Sequence, residues 1–230
     1  MKGVTPGGFF LSKGQSGASH GPWGARFRQG IQHGRGDAVS MEAIAEAPLT
    51  QDDRIFRVLA VSGSLRAMSS NTRVLQALRL LAPPGLEVIL QPPLDGLPFF
   101  NPDVEAVALP PAVQAWRAAI GEAGAVIISS PEYAHGVSGV LKNSLDWLVG
   151  GVELADKPIA ILNTRPEASL AHAALVETLR IMGGRVVDQT PVPLTGRGLD
   201  AAGMAADPGL AALLGGVLVS LQRAERKSRA

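Results

Sequence analysis

The sequence predicts an α/β fold: a parallel five-stranded sheet covered by helices on both faces. Three observations carry that expectation. From Phe56 onward, short and nearly unbroken apolar runs alternate with helical patterns, as strands buried on both faces require. Glycine, proline and hydroxylated residues punctuate the joints between them. The 230 residues are 46% apolar, 18% charged and 4% aromatic, enough for one sizeable core with tails.

The strands are expected at Phe56 to Ser62, Leu86 to Gln91, Ala125 to Ser129, Pro158 to Asn163 and Arg185 to Pro193. Helices are expected at Ser70 to Leu81, Pro110 to Glu122, Ser138 to Val149, Ser169 to Met182 and Pro208 to Arg226. Pro83-Pro84-Gly85 stops the first helix and Gly183-Gly184 the fourth. A proline-rich loop fills Pro92 to Pro111. This succession permits a 2-1-3-4-5 strand order or a Rossmann half, and right-handed crossovers do not separate them. The glycine fingerprint does: no G-x-G-x-x-G follows the first strand and no acid closes the second, so dinucleotide binding in the Rossmann manner is disfavoured. A G-x-x-x-x-G-K-[ST] loop is also missing, which removes the P-loop reading.

Residues 1–54 are read as a disordered N-terminal extension. Up to residue 40 the segment is glycine-rich and carries Lys2, Lys13, Arg26, Arg28 and Arg35 against one acid, Asp37. Met41 is a candidate for the true start, and a functional basic tail is the alternative. There are no cysteines, which excludes disulfides, thiolate metal sites and cysteine nucleophiles, including a phosphatase thiolate in the first loop. The four histidines lack ligand spacing, so no metal is expected. With net charge +1 and no apolar run long enough to span a bilayer, neither nucleic acid nor membrane is an expected partner. A cytoplasmic location is expected. Arg223, Arg226, Lys227 and Arg229 after the last helix read as a solvated helix end.

Two loops carry the chemistry. After the first strand, Gly63 allows a tight turn, Ser64, Ser69, Ser70, Asn71 and Thr72 offer neutral donors, and Arg66 adds a charged fork. A helix begins at the same place and brings unpaired N–H groups, so the loop suits a phosphate dianion. Simple helix capping by Ser69-Ser70-Asn71 uses the same groups, and both readings can hold. After the third strand, Pro131 stiffens the exit, Glu132 and Tyr133 sit at the rim, and Gly136 leaves backbone uncovered for a flat ring. A purely structural turn is the other reading of this loop. In a 2-1-3-4-5 sheet the two loops share one crevice.

Together, G-S-L-R-x-x-S-x-N from Gly63 to Asn71 and P-E-Y-x-x-x-x-x-G-x-L-K-N-x-x-D-W from Pro131 to Trp147 resemble the signatures of the NADPH-dependent FMN reductase family of flavodoxin-like proteins. The resemblance covers about Arg57 to Pro193. It implies a three-layer sandwich at residues 55–226 that binds FMN, with Ser64, Arg66, Ser69 and Asn71 at the phosphate. Ser70 and Thr72 stand at positions that vary in the family. Along the isoalloxazine edge it implies Pro131, Glu132, Tyr133, Ala134, His135 and Gly136. Two residues depart from the family pattern: Ala134 replaces the usual asparagine and Ser138 a frequent proline.

The expected activity is hydride transfer from NADPH or NADH, with electrons passed on to free flavin, a quinone, an azo compound or a metal oxyanion. No side-chain acid is needed at the flavin, so His135 is read as a backbone position. The rival readings are an FMN-binding electron carrier or sensor without a nicotinamide site, and an FMN-free scaffold. Near-neutral charge and a single tyrosine, Tyr133, weigh against the carrier. A third loop, Asn163 to Ser169, follows the fourth strand; Arg165 in it is either solvated or a partner for the 2′-phosphate of NADPH. Leu145, Trp147 and Leu148 form either core or a subunit seam, and the resemblance implies a homodimer or homotetramer.

Overall fold

In the computed structural model, residues 55–167, 169–194 and 196–229 are described. The N-terminal extension and the proposed start at Met41 lie outside them. The main sheet has the order β2-β1-β3-β6-β7, all parallel. Its strands are β1 (Phe56–Ser62), β2 (Leu86–Leu90), β3 (Ala125–Ser129), β6 (Pro158–Asn163) and β7 (Arg185–Pro191). Counted within the sheet this is the expected 2-1-3-4-5. The central strand β3 is buried along its whole length, which is why its sequence reads as an unbroken apolar run rather than an alternation.

Helices α1 (Ser70–Leu81) and α7 (Pro208–Arg229) cover one face of the sheet, and α3 (Pro111–Glu122), α4 (Gly139–Asp146) and α5 (Leu170–Ile181) the other. On the first face Val58, Ala60, Ile127 and Leu162 pack with Val74, Leu78, Leu214 and Leu218. On the second, Leu59, Val61, Val126 and Ile161 pack with Trp116, Ile120, Leu141 and Leu179. Leu145, Trp147 and Leu148 belong to this second core, at most 3% exposed. The choice between core and subunit seam is thereby resolved for these three side chains, which are spent inside the protomer.

Three connections hold more structure than the sequence reading gave them. The proline-rich loop contains a 3₁₀ turn at Leu94–Gly96 and the short helix α2 (Pro102–Val107), capped by Asn101 accepting from the Asp103 N–H at 2.9 Å. Helix α6 (Ala201–Ala206) precedes α7 and is capped by Asp200, which accepts from Gly203 N–H at 2.7 Å. The loop after β3 is a hairpin, β4 (Glu132–Tyr133) against β5 (Gly136–Val137). Helix α4 spans eight residues, shorter than the expected Ser138 to Val149, because the chain turns at Trp147 to bury the indole.

A polar cluster fastens the second face. Arg117 on α3 binds Glu153 at 2.6 Å and Glu105 of α2 at 3.2 Å, and the hydrogen bond it donates to Glu153 holds its guanidinium pKa up. Lys157 donates to the carbonyls of Ile120, Gly121 and Ala123 at the end of α3, the helix terminus where a cation is favoured. Among the described residues no helix is long and apolar enough to cross a membrane, and no cluster of acids and histidines has the makings of a metal site.

Candidate functional site

Because all five strands run the same way, the loops leaving β1, β3 and β6 emerge at one edge, where strand order reverses between β1 and β3. That is where open α/β sheets place ligands. The three loops enclose a cavity of about 720 Å³.

The first loop is built from Ser62 to Thr72. Ser62 Oγ accepts from the Ser64 N–H at 3.2 Å and lies 2.9 Å from Thr72 Oγ1, so the Thr72 hydroxyl is turned back to the strand. Ser69 is the N-cap of α1, its hydroxyl accepting from Thr72 N–H at 3.3 Å. Asn71 is buried; its Oδ1 accepts from Ser129 Oγ at 2.8 Å and from Thr164 Oγ1 at 3.1 Å. Arg66 is exposed at the rim, and its guanidinium has no partner among the described residues. By contrast Arg165, the other arginine at the cavity, binds Glu167 at 3.3 Å.

The second loop is tied to the first. Gly63 N–H donates to the Ser129 carbonyl at 2.8 Å, and Ser138 Oγ donates to the Gly63 carbonyl at 2.7 Å. In the β4–β5 hairpin the two turn residues, Ala134 and His135, both have positive φ, 49° and 61°. Two-residue hairpin turns of this kind require it, and asparagine and glycine accommodate it with the least strain. Glu132 anchors the hairpin to α5: Oε2 accepts from Ala171 N–H at 2.9 Å, and Oε1 lies 3.0 Å from His135 Nδ1. The helix N–H, with His135 adding to it, holds the Glu132 carboxyl below its usual range.

The cavity wall includes Ser64, Arg66, Ser69, Ser70, Asn71, Pro131, Glu132, Tyr133, Ala134 and His135. Ten of the twelve expected site residues therefore meet in one place. Thr72 and Gly136 are not on the wall; Thr72 pairs with Ser62, and Val137 takes the place next to Gly136. The wall also has residues that motif reading missed, among them Ser130, Thr164, His172 and Leu194. A polar residue just beyond a buried run, as at Ser130 after β3 and Thr164 after β6, was the available signal.

The helical half of the second signature works differently. Asn143 receives the Phe100 N–H at 2.8 Å and donates to the Pro98 carbonyl at 3.0 Å. Trp147 Nε1 donates to the same carbonyl at 2.8 Å, with its ring edge-on to Phe100 at 5.1 Å. These signature residues therefore hold the proline-rich loop rather than face the cavity.

A doubly wound α/β protein with a serine-rich loop and a hairpin walling one cavity at its switch point is what fold and site define. The chain belongs to the NADPH-dependent FMN reductase family, whose model matches residues 56–195. It is 42% identical over 109 residues to an NAD(P)H-dependent FMN reductase of Pseudomonas aeruginosa, covering 46% of this chain and 58% of that one. Over 115 residues it is 43% identical to an NADPH:quinone oxidoreductase of Arabidopsis thaliana, covering 48% of this chain and again 58% of the relative. The chain thus spans little more than half the length of these curated relatives. Among solved structures it is similar to FerB, a flavoenzyme NAD(P)H:(acceptor) oxidoreductase of Paracoccus denitrificans, at 26% identity and a TM-score of 0.60, covering 75% of this chain and 98% of that one.

Proposed function

We propose that this chain is an FMN-dependent oxidoreductase that takes hydride from NADPH or NADH and passes electrons to a small acceptor such as free flavin, a quinone, an azo compound or a metal oxyanion. The observation that carries the reading is one cavity, about 720 Å³, walled on one side by an anion cradle and on the other by a strained hairpin. Its volume lies within the roughly 300–1,000 Å³ of small-molecule sites. The donor set fits FMN. Hydroxyls of Ser64 and Ser70, the start of α1 and the unpartnered Arg66 supply the neutral donors and positive charge that a phosphomonoester needs. At the hairpin, the backbone of the Ala134–His135 turn on the cavity wall offers an edge for the ring.

When bound, FMN supplies two-electron chemistry between hydride donor and acceptor. The protein's residues bind and orient. Arg66 is free to swing its charge onto the phosphate, because no carboxylate among the described residues competes for it. Glu132 fixes the hairpin to α5 through Ala171, so the backbone N–H groups of the turn keep their direction. Tyr133, 55% exposed, leaves the cavity mouth open for donor and acceptor in turn.

The test is the visible spectrum of the purified protein, followed anaerobically as NADPH or NADH is added. A bound flavin band that bleaches rapidly is expected, and the faster nucleotide names the donor. A yellow protein that neither nucleotide reduces would leave only a carrier. A colourless protein that refuses added FMN would sink the reading.

A further inference from the structure

Two buried hydroxyls outside both sequence signatures converge on one amide at the wall of the cavity. Ser129, the last residue of β3, is 0% exposed, and Thr164, just beyond β6, is 3% exposed. Both donate to the same atom, Asn71 Oδ1, at 2.8 and 3.1 Å. With two O–H donors on its oxygen, the amide has one orientation in which every group is satisfied, since turning it over would set N–H groups against the donors. The Asn71 N–H groups have no acceptor among the described residues. The one fully buried polar side-chain atom there without a partner is Glu153 Oε2, so the Asn71 nitrogen is not sealed in. It belongs to a residue of the cavity wall, one position into α1.

We infer that Ser129 and Thr164 are positioning residues that fix the Asn71 amide with its N–H groups toward the phosphate of the bound cofactor, so that the ends of β3 and β6 set the affinity for a phosphorylated over an unphosphorylated flavin. This rests on the flavin reading above. The arrangement also explains why two neutral hydroxyls are kept at a buried edge. Each gains a partner there, and together they occupy the Asn71 oxygen so that the amide presents its N–H donors to an acceptor ligand.

The experiment titrates full-length flavin-free protein with FMN and with riboflavin, following quenching of flavin fluorescence. Ser129→Ala and Thr164→Val are each expected to weaken FMN binding about 3- to 10-fold, the worth of one hydrogen bond, and to weaken riboflavin binding by less. Thr164→Ser is expected to restore FMN affinity. On an Asn71→Ala background neither substitution should cost anything further. Equal losses for both flavins, or losses that add to that of Asn71→Ala, overturn the inference. If Ser129→Ala does not fold, the Thr164→Val and Thr164→Ser pair decides alone. Wild-type protein that prefers FMN while Thr164→Val keeps the same preference overturns the inference and leaves the flavin reading standing. Wild-type protein that binds neither flavin overturns both.

Discussion

A methyl group at position 63 would sit 2.4 Å from Ser130 Oγ and 3.0 Å from Ser138 Oγ, so the approach of the two loops depends on a residue without a side chain. Around that contact, side chains divide the work. Arg66 is the one to remove for binding: Arg66→Ala is expected to weaken FMN binding about 10- to 100-fold, as for a hydrogen bond to a charged group, measured by flavin titration, with the melting temperature unchanged. Ala134 carries the strain. An alanine at φ 49° is disfavoured by roughly 1 kcal/mol, so Ala134→Gly is expected to stabilise the protein by about 0.5–1 kcal/mol in urea unfolding. At this scale the site was partly legible. Ser64, Arg66, Ser69 and Asn71 stand within one short motif, whereas the hydroxyls that hold Asn71 lie 58 and 93 residues further along. Local pattern cannot pair residues that only the sheet brings together.

Among the elements, helix α1 was readable to the residue because its cap and its stop are both local, Ser69 before it and Pro83-Pro84-Gly85 after. The hairpin after β3 was read as a loop, since its strands are two residues each and its turn lacks the asparagine and glycine that announce one. What holds it is tertiary: the Glu132 carboxylate at the N-terminus of α5. Its folded pKa is depressed, chiefly by the Ala171 N–H, so its contribution to stability is present above the unfolded glutamate's range and lost as pH falls through the folded value. Glu132→Gln is therefore expected to lower stability at neutral pH and to converge with wild type in acid, a difference that urea midpoints across that range would show. A constant offset at every pH would mean that Glu132 acts by shape alone.

At the scale of the molecule, the sheet separates two apolar cores, and each can be weakened by itself. Leu214→Ala on the α7 side is expected to cost about 2–5 kcal/mol and Trp147→Ala on the α4 side about 3–5 kcal/mol. The double variant should lose their sum to within about 0.5 kcal/mol, since the two sites share no partners. Fold class was legible because it follows from a repeated local alternation, and the strand order because the glycine fingerprint of the alternative is missing. Which face Trp147 occupies was not, because an apolar helix stripe looks the same against a sheet or against a second subunit.

The strand order also has a consequence in time. β1 lies between β2 and β3, so the strand made first among the described elements waits for a neighbour whose last residue follows its own by 67 positions, from Ser62 to Ser129. At about 5–20 residues per second that is on the order of several seconds of synthesis. The wait is longer on the α1 side, where Leu210, Leu214, Val217, Leu218 and Leu221 of α7 close the core and are translated after every strand of the sheet. Until they emerge, α1 alone covers that face of the nascent sheet, and a ribosome stalled before residue 208 would carry a chain primed for a chaperone.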